Sequence, residues 1–234
     1  MNSLRLDNIG DFPCAVRKSK RAKYAQIKVG SRGVEVILPF RHAFHEASRL
    51  LANKKSWIEK QLSQLTPPKP LTAPPSLYLA ALEEFWTIDY QLEENPPKLF
   101  SKSDQTLLIQ GGLGKENIWQ LLLQKWLQKK AQAFLPTLLS ALSLEVQLPF
   151  NKLSIRKQRT RWGSCSSHKN INLNYQILFL PMNLAKHILL HELCHTVHMN
   201  HSKAFWTLLK EHDPNSTHHE RQLKEPRLFF PGWV

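Results

Sequence analysis

This chain of 234 residues is 42% hydrophobic and 21% charged, an ordinary balance for a globular protein with a substantial core in one or two domains. Its net charge of +14 favours anionic partners such as nucleic acid, nucleotides or acidic surfaces. No apolar run approaches the roughly 20 residues of a membrane-spanning helix, so no membrane partner is expected.

Cys14, Cys165 and Cys194 are too few, and odd in number, for a disulfide framework, and Met1 to Asp7 holds no apolar signal core. A cytoplasmic location is the expectation.

In chain order, the basic block Arg17 to Lys23 reads as either a solvated face or an anion-binding patch. Tyr24 to Val29 and Val34 to Leu38 read as a hairpin around Gly30-Ser31-Arg32-Gly33. Ala47, Leu50, Leu51, Ile58, Leu62 and Leu65 recur at helical spacing. Pro67, Pro68, Pro70, Pro74 and Pro75 make a stiff connector. Trp86, Ile88, Tyr90 and Leu92 alternate with polar residues as in a strand, and Thr106 to Gln110 reads as another. A long helical pattern runs from Lys115 through Leu121, Trp126 and Phe134 to Leu142, with Pro136 expected to kink or divide it.

Lys152 to Arg156 reads as a short strand, and Asn170 to Gln176 as a strand with one polar face. A second basic block, Arg156 to Arg161, precedes Trp162-Gly163-Ser164-Cys165. Asn183 is expected to cap a helix from Leu184 to about Met199, and Ser202 the next, through Phe205 and Trp206. The expected fold class is α+β, with a hairpin-rich α+β region over 1–112 and a second domain over 113–234.

The chemistry concentrates in His191-Glu192-Leu193-Cys194-His195 and in His201. Residues four apart share one face of a helix, so His191 and His195 can aim their imidazoles at a single ion. Glu192 follows the first of them, where its carboxylate can reach a water without binding the metal. His201 returns to the same point if the helix ends near Met199 and the chain turns. Three imidazoles with an open fourth position is the catalytic pattern for zinc, one ion per chain. The apolar run Ile188-Leu189-Leu190 predicts a buried helix, on which two histidines and a glutamate would be costly to desolvate without a metal. His187 lies one turn earlier, as an alternative ligand or a group behind the ligands, and His198 can reach the rim. Cys194 reads as a small buried hydrophobe.

Thr160-Arg161-Trp162-Gly163-Ser164-Cys165-Ser166, then Ile171-Asn172-Leu173-Asn174, then the His191 to His195 helix with Asn200-His201-Ser202 and Phe205-Trp206, resemble the YgjP-like metallopeptidases. These are relatives of the SprT and Wss-type zinc proteases in the wider zincin group. The resemblance implies a zincin-like catalytic domain over 113–234, with His191, His195 and His201 on zinc and Glu192 as catalytic acid/base. It also implies that the Arg161 to Ser164 segment and the Asn170 to Gln176 strand flank the cleft.

The reading that follows is a zinc metallopeptidase acting on a polypeptide, with Arg159, Arg161, Asn172 and Asn174 as substrate contacts. The polar-faced strand at Asn172 and Asn174 would pair with the peptide by β-addition. Arg161, Tyr175 and His198 are candidate oxyanion stabilisers. One alternative is a nucleoside triphosphate pyrophosphatase, an activity attributed to YgjP-like proteins, with Arg159 and Arg161 on phosphates. The other is a nucleic-acid-binding module that zinc merely stabilises.

Overall fold

The computed structural model describes residues 3–9, 12–30, 33–63, 72–112, 118–158, 160–225 and 228–234, with side chains from residue 14 onward. The turn at 31–32, much of the proline connector, the helix start at 115 and Arg159 therefore lie outside the described residues. Contacts divide the chain into two units, Met1–Pro70 and Leu71–Val234.

The first unit is a four-stranded sheet carrying two short helices. Strands β1 (Ser3–Ile9), β2 (Phe12–Ser19), β3 (Gln26–Gly30) and β4 (Gly33–Pro39) lie in the order β1-β2-β4-β3. The expected hairpin is β3–β4, antiparallel from Gln26↔Ile37 to Gly30↔Gly33. β1 and β2 were not apparent from the sequence, because β2 runs into the basic block at Arg17 and Lys18. Its alternation is nonetheless clear in space, with Cys14 and Val16 buried and Ala15 exposed. Arg17 pairs with Glu35 on parallel strand β4 at 2.7 Å, and Lys18 lies over the Phe44 ring. The expected long helix is two, α1 (His45–Asn53) and α2 (Lys55–Ser63), broken at Lys54. Ala47, Leu51 and Ile58 from these helices close the core on Val16, Val36 and Leu38. Residues 1–70 contain fourteen Lys or Arg and five Asp or Glu, so +9 of the net +14 belongs to this unit.

Among the described residues the second unit contains two further sheets, four α-helices and one 3-10 helix. β5 (Ser76–Leu79), β6 (Glu84–Gln91), β7 (Lys98–Ser101) and β8 (Thr106–Gln110) lie in the order β5-β6-β8-β7. This sheet packs on α3 (Ile118–Glu145), with Trp86 edge-on to Trp126 at 4.9 Å and Lys130 paired to Glu84 at 2.8 Å. Leu77, Leu79, Trp86, Ile88, Leu107 and Ile109 of this sheet share one core with the leucines of α3.

Helix α3 runs through Pro136 undivided. A proline inside a helix costs about 3 kcal/mol, whereas each fully buried leucine contributes about 1.5–3 kcal/mol. The stripe Leu123, Leu127, Ala131, Leu135, Leu139 and Leu142 therefore outweighs the lost bond, and Pro136 stands beside that stripe, not on it.

The second sheet, β9 (Lys152–Arg156), β10 (Gly163–Cys165) and β11 (Asn170–Asn174), has the order β10-β11-β9. A short 3-10 helix, Tyr175–Phe179, leads to α4 (Met182–Cys194), α5 (Lys203–His212) and α6 (Ser216–Gln222). The architecture is α+β. Among the described residues no helix is long and apolar enough to cross a membrane.

Candidate metal centre

Helix α4 starts after Pro181, whose φ of −53° suits the entry to a helix. Asn183 is not the cap; its amide donates to His219 Nε2 at 3.3 Å. The helix also ends earlier than expected, with His195 as C-cap. Tight backbone bonds from Thr196 to Leu193 and from His198 to Cys194 then turn the chain. That early turn brings His201 back, and Ser202 caps α5 by accepting from Phe205 N–H.

His195 Nε2 lies 3.2 Å and His201 Nε2 3.1 Å from His191 Nε2. Phe205, fully buried, packs against all three rings, stacking on His195 at 4.5 Å and meeting His191 and His201 edge-on at 4.9 Å. His195 is buried, His191 half-buried and His201 exposed, so the cluster opens to solvent on the His201 side.

The other ring nitrogens decide what this convergence means. His195 Nδ1 donates to the His198 backbone carbonyl at 2.9 Å. His191 Nδ1 faces Glu220 Oε1 at 3.3 Å, and a carboxylate only accepts. With both Nδ1 atoms protonated, both Nε2 atoms present lone pairs to one another, which repel unless a cation stands between them. Two nitrogens bound tetrahedrally at about 2.0–2.1 Å would lie about 3.3 Å apart, close to the separations found here. The donor set fits a zinc ion. Burial lowers the pKa of His195 and of His201.

Glu192 is buried, and its Oε2 has no hydrogen-bond partner among the described residues. Burial pushes its carboxyl up to about 8, against the pull of the Arg161 guanidinium. It lines a cleft of about 270 Å³ with Arg161, Trp162, Gly163, His191 and Glu220. Gly163, on β10, lies directly against the Glu192 side chain.

The expected substrate contacts fare differently. Arg161 is exposed at the cleft and Arg159 lies outside the described residues. Asn172 donates to Ser164 Oγ at 3.3 Å. Asn174 is 2% exposed and its amide bonds the backbone carbonyls of Gln158 and Arg161, so it holds the loop before β10 rather than a substrate. β-Addition at Asn172 and Asn174 is also corrected, because β11 is the central strand with both edges filled. Among the described residues, β10 is an edge strand of this sheet and lies beside Glu192. Tyr175 is a core residue, 1% exposed.

His187 stands behind the ligands, in a second cluster whose other members, Asp213, His219 and Glu220, the sequence did not reveal. His187 Nδ1 lies 2.5 Å from Asp213 Oδ2, and its Nε2 lies 3.2 Å from Glu220 Oε1. His219 Nδ1 donates to the same Asp213 oxygen at 2.9 Å. Since both His187 nitrogens face carboxylates, both carry protons, and the ring is an imidazolium between two acids. Burial alone would lower its pKa; Glu220 and Asp213 raise it on balance. Hydrogen bonds from His187 and His191 hold Glu220 well below the usual carboxylate range. Nothing in the local pattern around residues 213–220 signals these partners.

A buried H-E-x-x-H helix whose histidines converge with a third, beside a buried carboxylate, defines a metallohydrolase-type centre. The chain belongs to the YgjP-like family, whose metallopeptidase-domain model matches residues 23–226. No curated protein matches it.

Proposed function

We propose that this protein is a zinc-dependent peptidase of the cytoplasm, with His191, His195 and His201 holding one zinc ion. The observation that carries the reading is the convergence of three imidazole Nε2 atoms, 3.1–3.2 Å apart at His191, beside a Glu192 Oε2 that has no partner among the described residues. Zinc bound there would supply Lewis acidity and a water acidified to a pKa near 7. Glu192, whose ionised form a bound cation would favour, takes a proton from the attacking water and passes it to the leaving nitrogen. The outer edge of β10 offers backbone groups to an extended polypeptide lying past Glu192. Arg161 supplies a positive charge at the cleft for a carbonyl oxygen or an acidic side chain. Three free cysteines agree with a reducing compartment.

The test compares wild type with Glu192→Gln on casein and on a panel of nucleoside triphosphates. Zinc- and Glu192-dependent casein cleavage is expected. If only triphosphates are hydrolysed, with Arg161→Ala raising KM for them, the peptidase reading is wrong and a pyrophosphatase takes its place.

A further inference from the structure

Glu220 joins the two histidine clusters. Its Oε1 stands 3.3 Å from His191 Nδ1 and 3.2 Å from His187 Nε2, so one oxygen meets a ring of each. Behind it the hydrogen bonds continue without interruption from His187 to Asp213, from Asp213 to His219, and from His219 to Asn183. Asn183, His187 and His191 lie on α4, His219 and Glu220 on α6, and Asp213 on the turn between α5 and α6. The side chains of His187, Asp213 and His219 are no more than 10% exposed.

Proton bookkeeping gives this chain a direction. The Asn183 amide nitrogen only donates, so His219 Nε2 accepts and its Nδ1 carries the proton given to Asp213. Asp213 and Glu220 only accept, so His187 donates from both nitrogens. Glu220 Oε1 also lies 3.3 Å from His191 Nδ1, close enough for its charge to favour the proton on that nitrogen. Every group is satisfied in only one sense, and that sense leaves the His191 lone pair on Nε2, the atom facing His195 and His201.

We infer that Glu220 is a positioning residue, which sets the tautomer and ring orientation of His191 and is itself anchored by the His187–Asp213–His219 chain. The inference rests on the reading of His191 as a metal ligand. Its physical basis is general: a carboxylate accepting from the far nitrogen of a ligating imidazole fixes the tautomer and makes the near nitrogen a better donor. His187 thereby has a role other than ligation. It supplies the positive charge that allows a buried carboxylate, Asp213, and a half-buried one, Glu220, to stand behind the site, where one alone would be costly. α6, which contributes no ligand, becomes part of the centre through Glu220.

The test uses the full chain stripped of metal by chelation, with histidine labelled at both ring nitrogens. Long-range nitrogen–proton spectra of wild type should show His191 protonated at Nδ1. Glu220→Leu, which has no acceptor, should shift His191 toward the Nε2–H form and weaken zinc binding about 10–100-fold in competition with a chromophoric chelator. Glu220→Gln keeps an acceptor but no charge, so it should keep the tautomer and weaken zinc binding by less than the leucine variant. It also serves as the decisive variant if Glu220→Leu fails to fold. An unchanged zinc Kd in folded Glu220→Gln, or an unchanged tautomer and Kd in folded Glu220→Leu, overturns the inference. If wild type shows the Nδ1–H form but binds no zinc, the zinc reading fails and the positioning role falls with it, while the Glu220–His191 contact stands.

Discussion

Gly163 lies against the Glu192 carboxylate so closely that a Cβ added to it would stand 2.5 Å from Oε1 and 2.8 Å from both Cγ and Cδ. Real Cβ atoms do not approach a heavy atom so closely, so either the strand or the Glu192 side chain must move. The glutamate is the softer partner. Gly163→Ala is therefore expected to fold and to keep its metal while losing about 100-fold in kcat, the scale of loss for a misplacement of about 1 Å. Zinc content, melting temperature and casein turnover measured on one preparation check this. Wild-type turnover in a folded Gly163→Ala would show that the glutamate does not need the space.

Metal content gives the second prediction. Protein expressed with zinc should carry about one ion per chain, and the His191→Ala/His195→Ala double variant should carry none. At free zinc 100 times Kd, binding adds about 2.7 kcal/mol to stability, which for a chain of this size raises Tm by about 5–10 °C. Metal analysis by mass spectrometry and melting with and without chelator measure both quantities. A Tm indifferent to chelation would count against the three histidines as a site.

The roles within the motif separate by two substitutions. Glu192→Gln should retain zinc and lower casein hydrolysis by about 10²–10⁴-fold, because the carboxylate works on the proton and not on the metal. His201→Ala should weaken zinc binding, since the most exposed of the three imidazoles is then missing. If the glutamine variant loses the metal and the alanine variant keeps it, the assignment is reversed.

Asn174 supplies a prediction about the loop bordering the cleft. Its buried amide bonds Gln158 O at 2.9 Å, Arg161 O at 3.2 Å and Gln176 Oε1 at 3.0 Å. Asn174→Ala leaves those acceptors without this donor and should cost about 1–3 kcal/mol in urea unfolding. Because the same loop carries Arg161 and leads into Gly163, casein turnover should fall as well. A stability loss without any change in turnover would detach the loop from the cleft.

What the sequence determined by itself was local. His191 and His195 share a helix face because four residues make about one turn, and Glu192 follows from its place beside the first. The β3–β4 hairpin and strand β9 were legible because short-range alternation and glycine punctuation specify them directly. The tertiary structure decided matters that depend on separate elements meeting. Whether β11 was central or an edge strand is invisible in its own residues, since polar alternation reads the same in either place. The early end of α4 depends on the turn that brings His201 onto Phe205, not on any capping residue inside the helix. Glu220 and Asp213 reach the histidines only because α6 folds back beside α4. Gly163 meets Glu192 across 29 positions of chain, a contact between β10 and α4 that no periodicity encodes.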